Sequence, residues 1–265
     1  MAASPRLIMR KTTRNTLLLA LNVVALGAGV FAELRREEGM MPEPLTTIDP
    51  QYVKAMTIEA AGGRKRVFEH RANGWWMTQP YPLRADANNI PRLLAVLNAP
   101  VRKTLDATHY DLANLGLDKP AVTLHVDGAL LEFGGEDPID HDRYVRFGGK
   151  IVRIPDRFAI RLTESPEVEI DRHLIDPDAT VVEVSIDGTA PRADVANAWK
   201  QTVSQQMLPG PSMGSMNAVV ELADTTKLEF SIGRKDNAYT VYRADIDLVY
   251  MVGEAQAQAL LGKAN

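Results

Sequence analysis

LEFGGEDPIDHDRYVRFGGKIVRIPDRFAIRL, residues 131–162, and LEFSIGRKDNAYTVYRADIDLVYMVGEAQAQALL, residues 228–261, decide the fold because they repeat one pattern. In both, an LEF strand is followed by a turn, a strand with tyrosine and arginine, a further apolar strand and a closing helix. Apolar residues stand at equivalent strand positions, and a one-residue slip would turn them to solvent. We therefore expect the two segments to follow the same strand–turn–strand–strand–helix path.

The residues upstream of each segment extend this similarity. VVEVSIDG, starting at Val181, resembles VKAMTIEA, starting at Val53. Helical spacing over Asp86–Asn98 predicts a helix, and ADVANAWKQTV is its counterpart. The meander strands RVFEHRA and WWMTQ have no equivalent in the second copy. We predict an α+β fold with a duplicated unit of antiparallel sheet plus packed helices, its first repeat over 51–175 and its second, shorter repeat over 176–265.

An uncharged run precedes this domain. Leu17–Ala32 (LLLALNVVALGAGVFA) has one clearly polar residue, Asn22, and as a helix it would span roughly 24 Å, enough for a short membrane anchor. Four basic residues precede it, whereas the arginines that follow stand among glutamates, so the positive-inside rule places the N-terminus in the cytoplasm. This predicts, in order, a cytoplasmic basic tail over 1–16, a transmembrane anchor over 17–34, a stalk over 35–50 and a periplasmic domain.

Two other interpretations of this run stay open. Val30-Phe31-Ala32 offers small residues where a signal peptidase inspects the chain, so the segment could be cleaved after Ala32. A plain core helix is the third interpretation, but the run is apolar all round rather than striped.

Charge and cysteine content restrict the function. Four of the 30 basic residues and none of the 34 acidic ones lie in the first sixteen positions, which leaves 26 against 34 and a net charge of −8 for the rest. Such a balance disfavours nucleic acid as a partner. The chain has no cysteine, so thiolate nucleophiles and cysteine-ligated metal sites are excluded.

GWWMTQP, ADANNIPRLLAVLN, DLANLGLDKPAVTL, YVRFGGKIVRI and DRHL before VVEVSI occur in this order. Together they resemble the bacterial domain-of-unknown-function family 4340 (DUF4340), and LGLDKP, Leu115 to Pro120, is the most specific piece. The resemblance implies an envelope protein, often encoded beside an ABC-type permease similar to gliding-motility transport components, with no established catalytic residues. Gly116 is expected in a left-handed conformation and Pro120 just before a strand.

Two motifs in and near one loop are candidate functional sites. Gly210-Pro211-Ser212-Met213-Gly214 matches the G-x-S-x-G pattern, but no histidine follows His173, so the serine–acid–histidine order is missing and Ser212 is predicted to be inert. Three thioethers near this loop could hold Cu(I) outside the cytoplasm, although methionines beside an apolar strand more often fill a core edge. They are Met207, Met213 and Met216.

Three further clusters received a structural interpretation. Asp137, Asp140, His141 and Asp142 lack the spacing of a calcium loop, so we interpret them as a solvated hairpin turn. Adjacent strand residues face opposite sides, so one ring of Trp75-Trp76 should be buried, and the other could stack on a sugar. Two short sets of polar residues are interpreted as a solvated hairpin tip and as ordinary fold residues. These are Arg64, Lys65 and Arg66, and His70, His109, His125 and His173.

The sequence thus predicts no catalytic, cofactor-binding or metal-binding residue and no enzyme activity. The leading hypothesis is a membrane-anchored periplasmic accessory or scaffold protein of an envelope complex, associated with an ABC-type transport system. Its partners would be the inner membrane and a membrane protein such as an ABC-type permease. The alternative is a periplasmic glycan or small-ligand binding module, which should have a pocket lined by an exposed tryptophan.

Overall fold

Alternating apolar and polar residues build two antiparallel sheets in the computed structural model, which describes residues 42–63, 65–190, 195–212, 214–235 and 238–262. Within these residues the first sheet has nine strands in the spatial order β4-β3-β2-β1-β6-β7-β8-β9-β5. Their bounds are β1 Ala55–Ala60, β2 Arg66–Arg71, β3 Gly74–Gln79, β4 Leu83–Arg84, β5 Lys103–Leu105, β6 Val122–Val126, β7 Ala129–Glu136, β8 Asp142–Phe147 and β9 Lys150–Pro155.

The second sheet has six strands in the described part of the chain, in the order β10-β12-β13-β14-β15-β11. Their bounds are β10 Val181–Ile186, β11 Gln206–Pro209, β12 Met216–Leu222, β13 Lys227–Lys235, β14 Ala238–Arg243 and β15 Leu248–Val252. The helices are α1 Ile90–Leu94, α2 Arg157–Ile160, α3 Val195–Gln201 and α4 Glu254–Leu260. Single 3₁₀ turns cover Pro50–Tyr52, Ala95–Asn98, Ala107–His109, Arg161–Thr163, Pro166–Val168 and Ala244–Ile246.

The two sheets share one strand order. The six strands β1-β6-β7-β8-β9-β5 of the first sheet match β10-β12-β13-β14-β15-β11 of the second, position by position. The equivalent LEF leucines pair alike, since Leu131 lies opposite Leu124 and Leu228 lies opposite Val220. The expected common path of the two segments agrees with this order, and β2, β3 and β4 are the additional meander of the first sheet. The chain is an α+β protein.

Helices pack on both sheets and close a shared hydrophobic core. The helix expected over Asp86–Asn98 is α1 followed by a 3₁₀ turn, and its apolar residues Ile90, Leu93, Leu94 and Leu97 are buried. In the second sheet, the Trp199 ring of α3 packs on Phe230 with centroids 4.9 Å apart. Its Nε1 donates to the carbonyl of Leu260 in α4, 3.0 Å away. The indole therefore joins both helices to the sheet.

The folded unit begins at Pro44, so the predicted stalk is wrong over its last seven residues. Leu45 donates its backbone N–H to Ala99 O at 2.8 Å, and Thr46 donates to Leu97 O at 2.9 Å. Leu45 is 6% exposed and contributes to the core. Two backbone hydrogen bonds and one buried leucine fix this segment without any periodic pattern that would reveal it.

The predicted anchor and basic tail, residues 1–34, lie outside the described residues. Within the residues that are described, the helices are all too short or too polar to cross a membrane.

The LGLDKP motif packs on a glycine pair of β7. Gly116 has φ +66°, as predicted, and the chain then returns so that Leu115 O accepts the Gly135 N–H at 2.7 Å. A Cβ on Gly134 would lie 2.3 Å from Leu115 O, closer than any real contact, whereas one on Gly135 would lie 3.4 Å away. Only glycine at position 134 lets the motif approach the strand.

This contact generates a stability prediction. Gly134→Ala should lower the free energy of unfolding of the full chain by about 1–3 kcal/mol, because the new methyl group must push the motif off β7. Gly135→Ala is the matched control and should cost less than about 1 kcal/mol. Chemical denaturation followed by circular dichroism measures both. Equal losses would show that the close approach is not what Gly134 provides.

Candidate functional site

Residues 156–180 lead from β9 to β10 and form the connection between the sheets. A cleft of about 400 Å³ lies where the meander of the first sheet meets this connection and the turn from β12 to β13. Trp76 and Arg84 come from β3 and β4, and Asp224 comes from the β12–β13 turn. The full lining is Asn73, Trp76, Pro82, Leu83, Arg84, Asp171, His173, Leu174, Asp176, Pro177, Asp178, Ala179, Leu222, Asp224, Thr226, Leu228 and Arg243.

Strand alternation separates the two adjacent tryptophans of β3. Trp75 lies opposite His70, stacks on it with ring centroids 5.1 Å apart, and packs against the core. Trp76 faces the cleft, and its Nε1 donates to Asn73 Oδ1 at 2.9 Å. One ring was predicted to be buried; Trp75 packs against the core but is only partly buried, and Trp76 is the tryptophan that a ligand could reach.

Two guanidinium groups flank the Trp76 ring. Arg71 belongs to β2, and its Cζ lies 4.9 Å from the ring centroid; Arg84 belongs to β4, and its Cζ lies 5.5 Å away. They come from the strands on either side of β3. Arg71 is 47% exposed, and its ion pair within the described residues is a 3.4 Å contact with Glu69, which contributes little in water. Arg71 can therefore move off the indole more easily than Arg84.

Arg84 fixes the shape of the cleft. Its Nη1 donates to Asn73 O at 2.7 Å, and its Nη2 binds Asp178 and also Asp176 Oδ1, the latter at 3.2 Å. Burial opposes the charge, but the two carboxylates outweigh it and raise the pKa of Arg84. The hydrogen bond from Arg84 lowers the pKa of Asp178 in turn. The connection between the sheets is thereby tied to β4.

The cleft combines an apolar floor with a polar, mainly acidic rim. Leu174 and Leu228 are buried beneath it, and aspartates outnumber arginines around it. The acids are Asp171, Asp176, Asp178 and Asp224, against Arg84 and Arg243. Carboxylates accept hydrogen bonds from hydroxyl or amino groups, so this lining suits a ligand that carries such groups on an apolar body.

Sequence reasoning missed most of these residues. Arg84 lies in a two-residue strand, and the aspartates lie in irregular chain, where no periodicity marks a position as buried or exposed. The one local signal was Asp176-Pro177-Asp178, a turn-forming sequence. His173 was interpreted as an ordinary fold residue, but its ring lines the cleft and its Nδ1 lies 2.5 Å from Asp171 Oδ1.

A buried ion pair lies elsewhere in the connection. Arg66, expected at a solvated hairpin tip, is instead 1% exposed and pairs with Glu169 at 3.5 Å while donating to Leu162 O. The expectation was wrong because the residue starts β2 on its inner face, opposite Ile58. Burial lowers the pKa of Arg66. Burial also raises the pKa of Glu169 to about 7, and this effect outweighs the nearby Arg66 charge, which lowers that pKa. Lys65 remains exposed and pairs with Glu59, whereas Arg64 lies outside the described residues.

The aspartate-rich turn between β7 and β8 is organised by its own hydrogen bonds. Asp137 accepts the N–H groups of Ile139 and Asp140 and the hydroxyl of Tyr144. The Tyr144 hydrogen bond holds the pKa of Asp137 well below its usual range, and Arg153 pairs with both Asp137 and Asp140. The described residues contain no group of three or more histidine, aspartate or glutamate side chains arranged to hold a metal ion.

Of the candidate residues in and near the loop before β12, Ser212, Met207 and Met216 are described, and they do not line the cleft. Ser212 donates its hydroxyl to Thr240 Oγ1 at 3.2 Å, in a connection between two strands rather than between a strand and a helix. Met207 is buried in β11, and Met216 begins β12 and packs against the core. Met213 lies outside the described residues, so copper binding by the three methionines stays a hypothesis.

Fold and site define an α+β protein with two antiparallel sheets of common strand order and a tryptophan-lined cleft at their connection. The family model described as a domain of unknown function (DUF4340) matches residues 75–207, half of the chain. The chain belongs to this family. The matched region includes Trp76, Arg84 and the cleft aspartates up to Asp178. No curated protein and no solved structure is significantly similar to it.

The buried pair generates a pH prediction. The pKa of Glu169 rises from 4.5 to about 7 on folding, so between these values the folded chain holds a proton that the unfolded chain has released. The stability that Glu169 contributes by holding this proton is present in full below pH 4.5 and is lost as the pH rises to about 7. The free energy of unfolding should therefore fall by about 1 kcal/mol or more over this range.

The same measurement on two variants isolates the group responsible. Glu169→Gln cannot titrate and should lack this decline, whereas the exposed Glu183→Gln should keep it. A decline that survives in Glu169→Gln would assign the pH dependence to another group.

Proposed function

We propose that this chain is a ligand-binding protein of the bacterial envelope and that its cleft holds a glycan or another small ligand rich in hydroxyl or amino groups. The observation that carries the proposal is Trp76, partly exposed in a cleft of about 400 Å³ that also presents carboxylates. This volume is within the range of roughly 300–1,000 Å³ typical of small-ligand sites.

The chemistry of the lining supports a sugar-like ligand. An indole offers a flat apolar face with a polar edge, and the Trp76 edge is already held by Asn73. Arg71 lies on the ring but outside the cleft lining, whereas Arg84 lines the cleft and keeps its wall in place beside the ring. Aspartates at the rim then accept hydrogen bonds from the ligand's hydroxyl or amino groups.

The location follows from the N-terminal sequence and is part of the proposal. An uncharged run over Leu17–Ala32 with basic residues before it supports a single-pass inner-membrane protein with a cytoplasmic N-terminus and a periplasmic domain. Cleavage after Ala32 would instead release the domain into the periplasm.

The second candidate function is that of an accessory or scaffold protein of an ABC-type transport system. The resemblance that pointed to DUF4340 also implies this setting, and one structural observation favours it. A second groove, of about 580 Å³, runs along β11 and is separate from the tryptophan cleft. One surface could then bind a partner while the other holds a ligand.

The cleft proposal predicts that Trp76→Ala weakens binding of a soluble muropeptide mixture or chitotetraose to the purified full chain by about tenfold or more, because the indole supplies the main apolar contact. Isothermal titration calorimetry measures the affinity. Trp75→Phe, altered on the opposite face of β3, is the control and should bind like the original chain. If neither probe binds saturably, or if Trp76→Ala binds as well as the control, the cleft is not a glycan site.

The accessory hypothesis predicts a stable membrane partner. The tagged full chain, crosslinked in cells and purified in detergent, should bring down an ABC-type permease that mass spectrometry identifies above an untagged control. Recovery of the chain without any membrane protein would argue against this role and would leave the cleft proposal intact.

A further inference from the structure

The groove along β11 is bordered by three parts of the chain. One wall is β11 itself, the second is the connection around Pro166–Val168, and the third is the start of α1. Its volume is about 580 Å³, and its lining is Asp86, Asn88, Asn89, Arg92, Ser165, Glu167, Val168, Arg172, Gln205, Gln206, Met207, Leu208 and Pro209. None of these residues lines the tryptophan cleft. Both linings nevertheless contain residues of the chain that connects the two sheets.

The strand edge in this groove is open. β11 is the last strand of its sheet, and among the described strands it pairs only with β15. Gly210 donates its N–H to Asp247 O on the β15 side. Because hydrogen-bonding direction alternates along an antiparallel strand, the N–H and C=O of Met207 point away from β15. Pro209 has no N–H, so this edge can add only a short extended segment.

Two arginines give the groove its accessible charge. Arg92 Nη1 donates to Asn89 Oδ1 at 3.3 Å, and Arg172 Nη1 donates to Gln205 O at 3.3 Å. Both side chains are exposed, and neither has a carboxylate within ion-pair distance in the described part of the chain. Most other arginines there that line or border a concave site have such a partner, as Arg66 and Arg84 do.

The two acids that line the groove, Asp86 and Glu167, each accept a hydrogen bond from the chain itself. Asp86 Oδ1 accepts the N–H of Asn88 at 2.7 Å. Glu167 is 7% exposed and accepts the hydroxyl of Tyr81. Asp86 is partly exposed and keeps its negative charge, so two exposed arginines face one accessible carboxylate in the groove, although the chain as a whole is acidic.

We propose that this groove binds a short, extended, acidic segment of a partner polypeptide. Carboxylates of the segment pair with Arg92 and Arg172, its backbone hydrogen-bonds to Met207 on the β11 edge, and an apolar side chain rests on Val168. Arginine suits this role because its planar guanidinium binds carboxylates with two parallel hydrogen bonds. Val168 is 47% exposed and offers the apolar contact that a small inorganic anion could not use.

This inference deepens the second candidate function, since the partner of an accessory protein must dock somewhere on it. It is independent of the ligand of the tryptophan cleft. Direct peptide binding tests the groove, whereas crosslinked co-purification tests the transport-system role, so the two can fail separately. If the peptide binds but no permease co-purifies, the groove is a peptide-binding site and the transport-system role is wrong.

The test uses the purified full chain and a fluorescein-labelled, end-capped heptapeptide of alternating glutamate and valine, followed by fluorescence anisotropy. The matching lysine–valine heptapeptide should bind much more weakly. The double variant Arg92→Glu/Arg172→Glu should weaken binding of the acidic peptide by about tenfold or more. Arg92→Lys/Arg172→Lys should retain part of the affinity, because the charge remains.

The controls separate a groove from general electrostatics. Arg102→Glu removes an arginine that is 60% exposed on another part of the surface and should leave the affinity unchanged. Val168→Asp should weaken binding without altering an arginine. Equal affinity for both peptides, no effect of the double variant, or full displacement by free glutamate at equal concentration would each overturn the proposal. Circular dichroism melts confirm that each variant is folded.

Discussion

Two arginines of the first sheet hold the chain that connects it to the second, and the concave surfaces of the molecule depend on this attachment. Arg66 pairs with Glu169 and donates to Leu162 O, and Arg84 binds Asp176 and Asp178. Between Leu162 and Asp178 the connection has one further 3₁₀ turn and no strand. Its backbone bonds to both sheets' surroundings, since Asp171 donates its N–H to Arg84 O at 2.8 Å and Leu174 donates to Thr202 O at 3.2 Å. The two arginines act together with these backbone hydrogen bonds and with the buried Ile170, Leu174 and Ile175 to determine its path.

The same connection forms part of both proposed sites. Seven of its residues line the tryptophan cleft, namely Asp171, His173, Leu174, Asp176, Pro177, Asp178 and Ala179. Four others line the groove along β11, namely Ser165, Glu167, Val168 and Arg172. A ligand in one site would therefore contact chain that continues directly into the other. The Arg66–Glu169 pair lies near the middle of this connection, between the end of β9 and the start of β10. Burial raises the pKa of Glu169, and protonation of Glu169 lowers the free-energy cost of burying its charge.

The fold was largely predictable because its signals are local. Apolar periodicity gave the strands and α1, and the 97-residue repeat from Leu131 to Leu228 predicted the shared strand order. The sites were less predictable because their ion pairs join residues far apart in sequence. Arg66 and Glu169 are 103 residues apart, and Arg84 and Asp178 are 94 apart. The sequence around a charged residue does not show whether an ion-pair partner lies far along the chain. For this reason the sequence predicted Arg66 to lie at a solvated hairpin tip.

The difference between the two sheets explains where the sites lie. Both sheets have the same six-strand order, but only the first has the meander β2-β3-β4. Arg66 belongs to β2, Trp76 to β3 and Arg84 to β4. The meander thus supplies both arginines that fix the connection and the tryptophan that faces the cleft. A repeat of the six-strand unit alone would have a core and no such cleft, so the proposed ligand-binding function depends on the strands that the second unit lacks.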